Sequence, residues 1–76
     1  MKAYRDIDGD SGIAAYDYVD DWIKVQFKDG HTYEYLASNI GQAHITTIKG
    51  LADAGNGLHS YIMRNPTVRN GWSSKN

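Results

Sequence analysis

The histidines are the residues of this 76-residue chain whose chemistry best suits catalysis or metal binding. They stand at His31, His44 and His59, and no two have the i, i+4 spacing of a helical zinc site. The chain has no cysteine, and it shows neither a carboxylate positioned on a predicted helix nor an evident oxyanion hole. We therefore predict surface histidines, no enzymatic activity, no cofactor and no metal centre.

The segment DIDGD, residues 6–10, has carboxylates at alternate positions, as a calcium loop does. An EF-hand loop requires glycine at its sixth position and a bidentate glutamate at its twelfth. Counted from Asp6, those positions hold Ser11 and Asp17, and Asp17 falls in a predicted strand. The sequence thus favours a flexible, solvated acidic arm over residues 1–10, and cation binding by this arm stays open as the alternative.

Charge is unevenly distributed along the chain, although its net value is only −1. Residues 1–21 carry six aspartates against Lys2 and Arg5, which gives −4, whereas residues 49–76 carry four cationic side chains against Asp53, which gives +3. Such an asymmetry could orient a partner. No apolar run approaches the roughly 18 residues of a membrane span, and the first residues are too polar for a secretory signal. We expect a cytoplasmic protein without membrane association.

The apolar pattern predicts an α+β fold. Residues 13–18, 22–27 and 31–36 are rich in β-branched and aromatic side chains and are predicted to form three strands. After them, Asn39 and Gln42 suggest a helix start, and the AGNG stretch at residues 54–57 separates that helix from a shorter second one. Asn65 ends the second helix because it precedes Pro66. The predicted domain is a three-stranded antiparallel meander followed by two helices packed on one face, spanning residues 11–66, with a flexible tail over residues 67–76.

The loop KDG at residues 28–30 fixes the register of the second hairpin. A two-residue turn at Asp29 and Gly30 would divide the large apolar residues between both faces of the sheet. A three-residue loop with Gly30 left-handed in a bulge instead pairs Val25 with Tyr33 and places the apolar residues on one face. We prefer this register, which makes Tyr33 and Tyr35 core residues whose hydroxyls reach the rim. The outer face then carries a small exposed apolar patch, a candidate protein interface. It comprises Ile13, Trp22 and Leu36.

The order of these features resembles the KTSC domain, a short module found at the carboxyl end of some lysyl-tRNA synthetases and as small free-standing proteins. Its central mark is a Tyr-x-Tyr motif, which Tyr33 and Tyr35 match after Gly30. The likeness covers about residues 11–65, and it includes Ser11, Ile13 and Tyr18 upstream and Gly55, Leu58 and Ile62 downstream. The chain departs from the family pattern where proline usually opens the first helix, near Ser38-Asn39, and where Asp53-Ala54-Gly55 replaces a typical Ser-x-Gly. The resemblance implies the fold better than the function, and it suggests RNA binding.

Two kinds of partner follow from these patterns. A weak, salt-sensitive RNA-binding edge is predicted at the basic carboxyl end. Its residues are Lys49, Arg64, Arg69 and Trp72. The alternative is a protein-interaction or regulatory module that acts through the exposed sheet face or an edge strand, including the formation of a homodimer.

Overall fold

The computed structural model describes residues 1–7, 9 and 12–76. Within these residues the chain forms one five-stranded antiparallel sheet, with strands in sequence order, and four helices. The α+β class is therefore confirmed, but the sheet is larger than the predicted meander. The elements are β1 (Lys2–Ala3), β2 (Ile13–Val19), β3 (Trp22–Phe27), β4 (Thr32–Leu36), α1 (Ala37–Ile40), α2 (Gln42–Ala54), α3 (Leu58–Arg64), α4 (Pro66–Arg69) and β5 (Ser74–Lys75).

The β3–β4 hairpin has the register that the sequence favours. Val25 lies opposite Tyr33, and the Phe27 N–H donates to the carbonyl oxygen of His31 at 2.8 Å across a three-residue loop. Gly30 has φ 95°, a left-handed backbone conformation that residues other than glycine rarely adopt. Ile23 and Val25 are fully buried on the inner face. The binary pattern and the turn glycine thus determine this hairpin.

A β-bulge at the start of β2 overturns one prediction. Ile13 lies opposite Phe27 and Ala15 lies opposite Gln26, so Ala14 is an extra residue on β2. The bulge turns Ile13 to the inner face, where its exposed fraction is 0%. The predicted position of Ile13 in an exposed interface patch is therefore wrong.

The helices close over the inner face of the sheet. Gly41, with φ 92°, separates α1 from α2, so Asn39 lies inside α1 instead of capping the main helix as predicted. The predicted break after α2 is confirmed, because Gly55 ends the helix in a left-handed conformation. The buried apolar side chains form one core between sheet and helices. They are Tyr4, Ile13, Tyr16, Ile23, Val25, Tyr35, Ile40, Ile45, Ile48, Ala52, Leu58, Ile62 and Val68.

Both ends of the chain belong to this fold, contrary to the predicted boundaries at residues 11 and 66. β1 pairs with β2, and Tyr4 after it is 6% exposed. At the other end Val68 is fully buried, and β5 pairs with β4. The described part of the predicted arm and the predicted tail are thus both packed against the domain. Two-residue strands are too short to give a periodic signal, which is why the sequence did not reveal them.

Candidate nucleic-acid interface

Four aromatic rings form a continuous row that begins on α3, crosses the β3–β4 hairpin and ends in the carboxyl-terminal segment. Phe27 contacts His59 edge to face at a centroid distance of 6.0 Å, and it contacts Tyr33 in the same way at 5.5 Å. Tyr33 in turn contacts Trp72 at 5.7 Å. Each contact has the perpendicular geometry that aromatic quadrupoles favour. The row therefore joins α3, the β3–β4 hairpin and the carboxyl-terminal segment at a single surface, defined here as the aromatic row.

Trp72 is the most exposed ring of the row, with 41% of its surface accessible. Its two neighbours hold its backbone in place. Ser73 donates from its N–H to the carbonyl oxygen of Glu34 at 2.6 Å and from its Oγ to Glu34 Oε1 at 2.9 Å. A β-carbon built at Gly71 would lie only 2.5 Å from Ile40 Cγ2, so this glycine is in close contact with the core. The indole is thus partly exposed on an anchored backbone.

Lys75 brings a cationic group to the aromatic row. The Lys75 Nζ atom lies 5.3 Å from the Tyr33 ring centroid, over the ring. Arg64 and Arg69 are exposed at the carboxyl ends of α3 and α4, and Arg69 Nη1 donates to the carbonyl oxygen of Met63 at 3.3 Å. The aromatic row and Lys75 form an edge that combines aromatic surface with positive charge, the two features that single-stranded nucleic acids require.

Lys49 does not belong to this edge, although the sequence grouped it there. Its Nζ atom donates to the carbonyl oxygens of Val19 at 3.0 Å and Asp20 at 2.9 Å, and it lies 5.3 Å from the Tyr18 ring centroid. Lys49 therefore anchors the turn between β2 and β3. The prediction assumed that the helices pack side by side, and it did not anticipate the contact of Lys49 with the turn between β2 and β3.

The two motif tyrosines have different environments. Tyr35 is 2% exposed, and burial raises its pKa to about 12, so its prediction as a core residue is confirmed. Tyr33 is only half-buried and packs between Phe27 and Trp72 at the rim. It lies nearer the hairpin loop than Tyr35 does. The prediction that both rings fill the core is correct for Tyr35 and incomplete for Tyr33.

The outer face of the sheet retains part of the predicted apolar patch. Trp22 lies directly opposite both Leu36 and Val19, and Val19 is 47% exposed. Lys24 Nζ lies over the Trp22 ring at 5.3 Å. The row of Val19, Trp22 and Leu36 thus replaces the predicted set that included the buried Ile13.

A polar cluster forms between α2 and β2. Tyr16 and Tyr18 donate their hydroxyls to the two carboxylate oxygens of Asp53, at 2.7 and 2.6 Å. The hydrogen bonds from Tyr18 and Tyr16 lower the pKa of Asp53 below its ordinary value. Burial, with the hydrogen bond to Asp53, raises the pKa of Tyr16 to about 12. The two hydrogen bonds join α2 to β2.

Each of the three histidines has a different partner. His44 Nδ1 lies 2.7 Å from the Tyr61 hydroxyl, His59 packs on Phe27, and His31 Nδ1 lies 3.0 Å from the carbonyl oxygen of Asn76. Among the described residues, no group of three or more histidine or carboxylate side chains could hold a metal ion. The segment 6–10, for which cation binding was the open alternative, includes positions 8 and 10, which lie outside the described residues.

Residues 1–7, 9 and 12–76 include no helix that is long and apolar enough to cross a membrane. Comparisons of the chain with protein-family models, curated proteins and solved structures found no match.

Proposed function

We propose that this protein is a non-enzymatic module that binds single-stranded RNA at the aromatic row. The observation that carries the proposal is the half-exposed Trp72, whose backbone is anchored on both sides and whose ring lies beside Tyr33. An anchored aromatic surface loses little conformational freedom when a base stacks on it. Base–aromatic stacking contributes about 1–3 kcal/mol per base.

Cationic side chains of the carboxyl end supply the second half of the interaction. Lys75 lies over Tyr33, one ring away from Trp72, and would contact the phosphate of a base stacked there. Arg64 and Arg69 extend the positive charge along the carboxyl ends of α3 and α4. Three phosphate contacts predict a dependence of log K on log salt with a slope of about −2 for a single strand. The binding is thus expected to be weak at physiological salt and clear at low salt.

The test is a titration with a mixed-sequence single-stranded RNA at low salt, with Trp72→Ala beside Trp22→Ala as the matched control. Loss of one stacked base should weaken binding by roughly five- to 150-fold in Trp72→Ala. Trp22 lies on the outer face, so its replacement should leave the affinity unchanged. Arg64→Glu combined with Arg69→Glu should weaken binding and flatten the salt dependence, whereas Lys2→Glu with Lys24→Glu should preserve that dependence. Equal losses in the two tryptophan variants, or no binding by the native protein, would refute the proposal.

The resemblance to the KTSC domain prompts the choice of RNA, but stacking itself does not distinguish RNA from DNA. A single-stranded DNA of the same sequence therefore belongs in the experiment. Equal affinity would assign the site to single strands in general and would leave the RNA preference unsupported.

Protein interaction through the outer face is the second candidate function. The observation that favours it is the row of Val19, Trp22 and Leu36, in which Val19 is exposed and the other two side chains are only partly buried. Trp22→Asp would abolish such an interaction and spare RNA binding. Binding driven by this row would respond little to ionic strength.

A further inference from the structure

The chain contains two Asn-Gly pairs, Asn56-Gly57 and Asn70-Gly71. In such a pair the glycine nitrogen can attack the amide carbon of the asparagine side chain, because glycine has no side chain that hinders the approach. The attack closes a five-membered imide ring and releases ammonia. Both asparagines are exposed. Exposure therefore does not distinguish the two pairs, and any difference between them comes from the backbone.

The fold opposes ring closure at Asn70. With ψ −1°, the Gly71 nitrogen nearly eclipses the backbone nitrogen of Asn70 and lies away from the side chain that it would attack. Turning this nitrogen requires the loss of the hydrogen bond from the Gly71 N–H to the carbonyl oxygen of Val68, at 3.1 Å. It also moves Gly71 where space is short, since a β-carbon built there would lie 2.5 Å from Ile40 Cγ2. The close packing before Trp72 thus protects Asn70.

The turn between α2 and α3 leaves the other pair free to react. The Gly57 N–H, the attacking group, has no hydrogen-bond acceptor within the described part of the chain. The Gly57 carbonyl oxygen accepts the Tyr61 N–H at 3.0 Å, a bond that does not involve the attacking nitrogen. The nearest described atom to a β-carbon built at Gly57 is Leu51 Cδ2, at an ordinary contact distance of 3.6 Å. The peptide plane between Asn56 and Gly57 therefore turns at a smaller loss than the one after Asn70.

We propose that Asn56 is a site of spontaneous deamidation in the folded protein and that Asn70 is protected from it. The Gly57 nitrogen loses its proton to a base in solution and attacks Asn56 Cγ. A bond forms between these two atoms, the bond from Cγ to Nδ2 breaks, and Nδ2 takes up a proton and leaves as ammonia. Water then opens the ring at either carbonyl carbon, which gives aspartate or isoaspartate. One water molecule is consumed, one ammonia molecule is released, and no oxidant or reductant takes part.

Either product changes the turn between α2 and α3. It adds a carboxylate at position 56 and changes the net charge from −1 to −2. Isoaspartate also lengthens the main chain by one methylene group, next to Gly55, whose carbonyl oxygen accepts the Ile7 N–H at 2.8 Å. The inference does not depend on RNA binding, since no residue of the aromatic row takes part.

The test is incubation of the native protein in warm, mildly alkaline buffer, followed by tryptic digestion and mass spectrometry. The two asparagines fall on different peptides, residues 50–64 and 70–75, and deamidation raises the mass of a peptide by one unit. We expect conversion at Asn56 to be at least about tenfold faster than at Asn70, because only Asn70 must lose a hydrogen bond to react. In guanidinium chloride, where the fold is lost, the two rates should become similar. Equal rates in the folded protein, faster conversion at Asn70, or an intact Asn56 would each overturn the proposal.

Two matched variants locate the source of the ammonia. Asn56→Gln keeps a side-chain amide but lengthens it by one methylene group, which makes ring closure much slower. Asn70→Gln makes the same change at the protected pair. Folded Asn56→Gln should lose most of the native rate of ammonia release, whereas Asn70→Gln should keep it. The native rate in Asn56→Gln, or a loss in Asn70→Gln, would contradict the assignment.

Discussion

Replacing Gly71 by alanine should destabilise the protein because Gly71, the residue before Trp72, packs closely against α4 and the core. The added β-carbon would lie 2.3 Å from the carbonyl oxygen of Thr67 and 2.5 Å from Ile40 Cγ2. The first atom belongs to the backbone of α4, and the second belongs to a buried core side chain, so neither gives way easily. Overpacking of this kind costs about 1–3 kcal/mol.

An opposing effect comes from the unfolded chain. Gly71 does not have a left-handed φ, so alanine can adopt its conformation, and the loss of unfolded-state freedom stabilises by about 0.4–1 kcal/mol. The clash exceeds this gain, and we expect a net loss of about 1–2 kcal/mol in the free energy of unfolding. For a domain of this size, that loss corresponds to a Tm lower by roughly 4–16 °C.

Gly50→Ala is the matched control, since it makes the same chemical change within α2 where no atom lies within 4 Å of the added carbon. Helix propensity then predicts a gain of about 0.8–1 kcal/mol. Thermal and urea unfolding of both variants measure the two signs. A Gly71→Ala protein at least as stable as the native one would refute the reasoning, and so would a shift of both variants in the same direction.

Three further predictions test the core and the polar cluster. The pKa of Asp53 is lowered in the folded protein, so its contribution to stability is complete above pH about 3.8 and is lost as the pH falls through its pKa in the folded state. Asp53→Asn should therefore make the free energy of unfolding, measured in urea, depend less steeply on pH in the acid range. Tyr16 and Tyr35, whose pKa values are raised to about 12, should remain protonated at the pH where a free tyrosine ionises, about 10, and their contribution to stability should fall as the pH rises from about 10 through 12. Absorbance at alkaline pH should show a delayed fraction, and ionisation of every tyrosine in a single step near pH 10 in the folded protein would contradict this. Ile13→Val should lower the free energy of unfolding by about 0.5–1.5 kcal/mol because the bulge buries this side chain. An effect near zero in urea unfolding would contradict the burial of Ile13.

The sequence predicted the central hairpins because local rules and the burial of apolar residues agree there. The alternation of Ile23, Val25 and Phe27 requires one buried face, and a slip by one residue would expose all three. Gly30 closes the loop between β3 and β4, and Gly55 ends α2. Both have the left-handed φ that glycine favours. These signals depend only on neighbouring residues, so they can be interpreted without knowledge of the distant parts of the chain.

The candidate interface could be predicted only in part. Trp72, Arg64 and Arg69 were identified from charge and aromatic content near the carboxyl end. The contact of Trp72 with Tyr33 depends on where the carboxyl-terminal segment returns to β4. That return rests on bonds from Ser73 to a residue 39 positions earlier, which no local pattern reveals.

The sequence by itself determined the α+β class, the hairpin register and the break between the main helices, because each follows from periodicity or from a glycine at a turn. Only the tertiary structure decided that the arm and the tail join the sheet, that a bulge buries Ile13 and that Lys49 anchors a loop. Partners distant in sequence position each of these features: the two-residue strands, the extra residue of the bulge and the long side chain of Lys49. The free energy that selects those contacts arises only when the whole core assembles.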